Sequence, residues 1–224
     1  MMPLTLYTYW RSSAAYRVRI ALNLKGLAYQ AAPRHLLRDG GEQRRPDYLA
    51  LNPQGLVPAL ADDGFVVPQS IAICEYLEEI HPEPRLLPGS ARDRATVRGM
   101  ALAVACDTHP LNNLPVVAYL RREFGADDEA VKRWMAHWIH RGFAALERWV
   151  GAPGGCDAVP ADGQLYCYGS QVTLADVCLV PQMYNARRFQ VDVSAYPRLV
   201  SICRHLEALP PFMAAGPEAQ PDAE

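Results

Sequence analysis

The sequence predicts an α/β N-terminal domain followed by an all-α C-terminal domain, and three observations carry that expectation. From Leu4 to His81 the apolar residues change period repeatedly, from alternation to helical spacing and back. A proline-rich connector, Pro82-Glu83-Pro84-Arg85-Leu86-Leu87-Pro88-Gly89-Ser90, follows. Beyond it the apolar residues recur only at helical spacing. With 224 residues, 50% of them hydrophobic, the chain has enough apolar material for two modest cores.

Leu4-Thr5-Leu6-Tyr7-Thr8-Tyr9 alternates as a strand does, and Val18, Ala21 and Leu22 then recur at helical spacing. Arg11-Ser12-Ser13 therefore falls at a strand-to-helix turn. Such a turn presents unpaired backbone N–H groups at the positive end of a helix, which favours an anion or a thiolate. Lys25-Gly26 stops the helix, and Ala28-Tyr29-Gln30-Ala31-Ala32 makes a second strand, at a separation that suits a parallel crossover. Arg38-Asp39-Gly40-Gly41 marks a loop, and Pro46–Leu51 a short helical turn ended by Asn52-Pro53. Leu56–Leu60 and Phe65-Val66-Val67 flank Asp62-Asp63-Gly64 in a hairpin pattern. Pro58 cannot donate to a ladder, so Val57-Pro58 belongs at the strand's start or carries an unusual peptide geometry. A helix from Gln69-Ser70 to His81 completes a β-α-β-α-β-β-α order.

In the second part, helices are predicted from Ser90 to the kink at His109-Pro110, from Leu111 to Phe124-Gly125, from Asp127 to about Val150, from Thr173 to about Arg188, and from Tyr196-Pro197 to near Leu209. Val131, Trp134, Met135, Trp138, Ile139 and Phe143 share one apolar face, which helical spacing explains as core. Thr173-Leu174-Ala175-Asp176 has the form of a capping box with Asp as its acid. The stretch 151–163 is rich in Gly, Pro and Asp and reads as a loop. The domains thus run 1–82, a linker 83–90, a helical domain 91–213 and a tail 214–224 expected to lack order.

A formal net charge of -2 without a basic block gives no reason to expect nucleic acid or an anionic membrane as partner. No apolar run is long enough for a membrane span and no signal peptide is evident, so the expected compartment is the cytoplasm. The cysteines (Cys74, Cys106, Cys156, Cys167, Cys178, Cys203) are scattered and read as reduced thiols. The histidines lack metal-ligand spacing, so no metal is expected. A small-molecule ligand is the remaining partner.

Ser12-Ser13 at the first turn, Val57-Pro58 before the third strand, Gln69-Ser70 opening the third helix, and Thr173-x-x-Asp176 together resemble the cytosolic glutathione transferases. The strings Trp10-Arg11-Ser12-Ser13-x-x-x-Arg17-Val18-Arg19-Ile20-Ala21-Leu22, Asn52-Pro53-Gln54-Gly55-Leu56-Val57-Pro58 and Asn185-Ala186-Arg187-Arg188-Phe189 resemble the zeta class, which includes maleylacetoacetate and maleylpyruvate isomerases. The resemblance implies a thioredoxin-like first domain, a homodimer, and glutathione as cofactor. It also implies cis–trans isomerisation of a maleyl compound, maleylacetoacetate before maleylpyruvate, by reversible addition of the glutathione thiolate.

On that resemblance Ser12 and Ser13 face the sulfur, and the backbone of Val57, before a cis proline, pairs with the cysteinyl part of glutathione. Gln69 and Ser70 hold the γ-glutamyl carboxylate, and Gln43, His109 and Asn113 approach glutathione. Arg11 and Arg188 are the arginines assigned to the acidic substrate, because a guanidinium binds a carboxylate bidentately and stays charged. Ala14 stands where many members of the class have cysteine, leaving the thiol of glutathione as the nucleophile. Leu114-Pro115 stands where relatives acting on maleylpyruvate tend to have arginine. A detoxifying transferase acting on haloacids and other electrophiles, and a glutathione-binding module without catalysis, are the competing expectations.

Overall fold

The computed structural model describes residues 3–150 and 165–224. They form two compact units: the chain up to Arg85 together with Leu209–Glu224, and Leu86–Ala208. The predicted loop at 151–163, with Cys156, lies outside the described residues.

The first unit contains β1 (Leu4–Thr8), α1 (Ser13–Leu24), β2 (Tyr29–Pro33), α2 (Pro46–Leu51), β3 (Ala59–Asp62), β4 (Phe65–Pro68) and α3 (Ser70–Ile80). The sheet order is β2-β1-β3-β4, with β1 parallel to β2 and β3 antiparallel to both β1 and β4. This is the thioredoxin-like arrangement. Leu6 and Leu60 of the sheet, Val18, Ile20 and Leu22 of α1, and Ile73 and Leu77 of α3 are all fully buried. The end of α1 is tied down by Lys25, whose Nζ donates to Glu78 Oε2 at 2.8 Å, His81 O at 2.7 Å and Pro84 O at 3.0 Å.

The second unit is helical: α4 (Ala91–Ala105), a 3-10 turn (His109–Asn112), α5 (Leu114–Phe124), α6 (Asp128–Val150), α7 (Leu174–Arg188) and α8 (Pro197–Glu207). α4 stops short of the predicted kink because Pro110 has no N–H for the carbonyl of Cys106 and its ring would strike that carbonyl. The Thr173–Asp176 capping box is formed at the start of α7, and twelve of the fifteen residues of that helix are buried. Met135, Ile139 and Phe143 of α6 join Leu199, Ile202 and Leu206 of α8 among the buried residues. The buried Glu147 caps α8 by accepting from the N–H groups of Arg198 and Leu199, both at 3.0 Å. No described helix is long and apolar enough to cross a membrane.

The chain from Leu209 on, predicted as the end of a helical domain reaching 213 and a tail 214–224 lacking order, is instead part of the first unit, as α9 (Pro210–Ala215) and a 3-10 turn at Pro217–Ala219. Phe212 and Ala215 are fully buried. Asn23 Nδ2 donates to Pro211 O at 3.0 Å, Arg19 Nε to Ala215 O at 2.9 Å, and Trp10 N to Asp222 Oδ2 at 3.0 Å. Its Pro- and Ala-rich composition reads as disordered because the groups that order it lie about two hundred residues earlier in the chain.

Candidate active site

One row of the sheet gathers the predicted glutathione residues of the first unit. Tyr7 pairs with Ala59, and Ala59 pairs with Pro68. The chain therefore leaves β1 toward Ser12, enters β3 from Val57-Pro58 and leaves β4 toward Gln69-Ser70 at the same end of the sheet. Beside β1, Arg34 N donates to Thr8 O at 2.7 Å, which starts the Pro33–Gln43 segment from that end as well. Tyr9, Trp10, Tyr48 and Val57 form one buried cluster with Tyr7, Leu36 and Leu51 packed against it, so the Ser12 turn and the Val57 loop share a foundation.

Ser12 caps α1: its Oγ accepts from Ala15 N at 3.2 Å, and its own N–H donates to Tyr9 O at 2.9 Å. A serine hydroxyl carries one proton and two acceptor sites, so the cap leaves the Ser12 proton available to a sulfur anion. Ser13, the first residue of α1, is buried. Arg11 is half-buried, with its guanidinium carbon 4.0 Å from the centre of the Trp10 ring, a cation–π contact that holds the charge beside the turn.

Val57-Pro58 is cis, as the family resemblance implies. The preceding carbonyl, Leu56 O, accepts from Tyr48 Oη at 2.6 Å and Asn52 Nδ2 at 2.7 Å, which fixes the approach to Val57. Burial pushes the Tyr48 phenol up to about 12, keeping that donor protonated. Gln43 is buried, with Nε2 donating to Leu36 O at 3.3 Å and Oε1 without a protein partner. Gly41, at φ 102, makes room for it, since a Cβ there would lie 2.6 Å from Gln43 Nε2.

Gln69 precedes α3 at φ 70 and ψ 118, a strained conformation for a residue with a side chain and one that persists mainly at functional positions. Its exposed side chain donates from Nε2 to Gln54 Oε1 at 2.6 Å. Ser70 is buried, and its Oγ accepts from Arg17 Nη1 at 3.1 Å. Gln43 Oε1, Trp10 Nε1 and the Nε and Nη2 atoms of Arg17 are buried polar atoms without protein partners in this unit. Buried donors and acceptors left unmet by the protein call for a polar partner from outside it.

The remaining predicted residues belong to the helical unit. His109 opens the 3-10 turn and is half-buried. Asn113 caps α5, its Oδ1 accepting from Leu114 N at 2.8 Å. Arg188 is exposed in the last turn of α7, its guanidinium carbon 5.0 Å from the centre of the Phe189 ring, whereas the neighbouring Arg187 is engaged by Glu207 at 2.6 Å. Arg17 and Arg19 carry functional weight that the sequence pattern does not assign to them. Their signal is two cations inside a helix otherwise buried among apolar residues, and Arg17 and Arg19 are 2% and 0% exposed. Arg19 holds the turn from below, with Nη1 donating to Thr8 Oγ1 at 3.0 Å and Tyr9 O at 3.3 Å, and Nη2 to Trp10 O at 3.0 Å.

Residues 11–80 match the family model of the glutathione S-transferase N-terminal domain. A maleylacetoacetate isomerase of Pseudomonas aeruginosa is 50% identical over 218 residues, 97% of each chain. The chain is a zeta-class glutathione transferase. The fold of this transferase is similar to the holo structure of maleylpyruvate isomerase, a bacterial zeta-class enzyme, with a TM-score of 0.92 at 44% identity over 98% of this chain and 100% of that one. It is also similar to a maleylacetoacetate isomerase from Methylobacterium extorquens solved with malonate and glutathione, with a TM-score of 0.90 at 40% identity over 98% and 99% of the two chains.

Proposed function

We propose that this transferase is a glutathione-dependent isomerase that converts maleylacetoacetate to fumarylacetoacetate. The observation that carries the proposal is the convergence of Ser12, Val57 and Ser70 at one end of the sheet, in a chain similar along its length to maleylacetoacetate isomerases. Bound glutathione supplies a thiolate that adds reversibly to the maleyl double bond, so that the resulting single bond can rotate before the thiolate is expelled.

The chain's own residues do the rest. Ser12 donates its free hydroxyl proton to the sulfur and, with the positive end of α1, favours the thiolate over the thiol. Ser13 supports that turn from the first position of the helix. Val57 offers its backbone to the cysteinyl part, and Ser70 and Gln69 receive the γ-glutamyl carboxylate at the start of α3. Gln43 adds a buried amide to the cofactor side of the first unit, and the family resemblance assigns His109 and Asn113 to glutathione as well. Arg11, held on Trp10, and Arg188, at the end of α7, are the cations assigned to the substrate's carboxylate and to the charge that develops beside it during addition. The enzyme acts in the cytoplasm as a homodimer.

The deciding experiment mixes the purified protein with glutathione and enzymatically made maleylacetoacetate. Glutathione-dependent formation of the fumaryl isomer supports the reading, and its absence overturns it. Replacing Arg11 and Arg188 together by alanine separates isomerase from detoxifying transferase: isomerisation collapses, while conjugation of a neutral electrophile survives. Leu114, at the first position of α5, favours maleylacetoacetate over maleylpyruvate, and competition between the two substrates measures that preference.

A further inference from the structure

Arg17 lies within α1, buried to 98% of its surface, and its guanidinium makes one hydrogen bond, Nη1 to Ser70 Oγ at 3.1 Å. Its Nε and Nη2 are shielded from solvent and have no protein partner, and no carboxylate among the described residues lies within ion-pairing distance. A buried cation in this condition is costly unless something brings a counter-charge. The group it touches is the first residue of α3, where the backbone N–H groups of an eleven-residue helix also favour an anion. Gln69, the residue before it, holds a strained backbone at the same point. The buried guanidinium and the start of α3 thus both lack a negative charge at Ser70.

We propose that Arg17 is a positioning residue for the carboxylate of the γ-glutamyl group, a step that rests on the glutathione reading above. By donating to a lone pair of Ser70, Arg17 leaves the Ser70 hydroxyl proton to point away from it and toward the carboxylate. The carboxylate in turn supplies the counter-charge that the protein withholds. A charged donor strengthens the hydroxyl it binds, so the effect of Arg17 passes through Ser70 and depends on the ligand's charge. Arginine suits the task because its planar fork can engage the serine while other N–H groups remain directed elsewhere, which a lysine ammonium cannot reproduce in the same geometry. Arg17 takes no part in sulfur chemistry, which belongs to the turn at Ser12.

The test is calorimetric titration of the full-length enzyme and its Arg17→Met and Arg17→Lys variants with two probes. These are glutathione and glutathione amidated at the α-carboxyl of its γ-glutamyl residue. Arg17→Met is expected to weaken glutathione binding by at least about tenfold, roughly 1.4 kcal/mol, with Arg17→Lys between it and the parent. The amide is expected to bind the parent and Arg17→Met equally, because the charge that Arg17 serves is gone. At saturating glutathione, kcat should stay within about twofold of the parent while the KM for glutathione rises. Equal losses for acid and amide would make Arg17 merely structural and overturn the proposal, as would unchanged binding of glutathione by Arg17→Met. Should Arg17→Met fail to fold, the parent's own preference decides: an amide bound as tightly as glutathione overturns the proposal. A parent that binds neither probe overturns the glutathione reading itself, an outcome separate from the others.

Discussion

Arg19→Met tests whether the turn at Tyr9–Ser12 is held in place by a buried cation. Methionine keeps most of the stem's volume and removes every donor. The carbonyls of Trp10 and Ala215 then lose hydrogen bonds of 3.0 and 2.9 Å in sites almost without solvent, while Tyr9 O keeps its bond from Ser12 N at 2.9 Å. Two stranded carbonyls at about 1–3 kcal/mol each give a cost of roughly 2–6 kcal/mol. Part of that is offset because a guanidinium no longer has to be desolvated, leaving about 2–4 kcal/mol. Urea unfolding should register the loss as a lower midpoint with an unchanged slope. The same turn carries Ser12, so kcat/KM for isomerisation should fall, and the pH at which activity reaches half its maximum should rise as the thiolate loses support. A variant within about 0.5 kcal/mol of the parent, with parental kcat/KM and pH profile, would refute the idea that Arg19 organises the turn.

Ser12→Ala should cost about 1 kcal/mol of stability through loss of the cap and lower kcat/KM by roughly a hundredfold or more, whereas Ser13→Ala should stay within about tenfold; the reverse order in steady-state assays would transfer the sulfur contact to Ser13. Asp176 is fully buried and accepts from Cys167 N at 2.7 Å, Thr173 N at 2.8 Å and Thr173 Oγ1 at 2.8 Å. Asp176→Ala should therefore destabilise by about 3–5 kcal/mol, read by denaturant unfolding and by protein recovered in soluble form. Tyr48, raised from 10.0 to about 12 by burial, holds its proton more tightly folded than unfolded. Its contribution to stability should be complete below pH 10 and lost as the pH climbs through about 12; ultraviolet titration should show a late phenolate step that Tyr48→Phe removes.

Much of the cofactor side of the site was legible in the residues alone, because it rests on local rules. A serine ahead of an apolar helix is a cap, a proline in a strand pattern belongs at its edge, and an Asp-Gly turn between apolar runs is a hairpin. Each holds in the structure at Ser12, at Pro58 and at β3–β4. The family resemblance then attached glutathione to those positions. Arg11 and Arg188 stand out in the sequence by charge and neighbourhood, and the structure adds the aromatic rings against which each rests.

What the sequence by itself determined was the order of elements, their caps and breaks, and the division into an α/β part and a helical part, all of which depend on neighbours a few residues away. Only the tertiary structure decided that Tyr7, Ala59 and Pro68 stand in one row and bring three loops to one end of the sheet. It alone placed Leu209–Glu224 in the first unit, and it alone left Arg17 beside Ser70 without a counter-charge. The pairing of Tyr7 with Ala59, the bond from Arg17 to Ser70 and the bond from Trp10 to Asp222 join residues 52, 53 and 212 positions apart. No window of local periodicity contains both partners of such a contact.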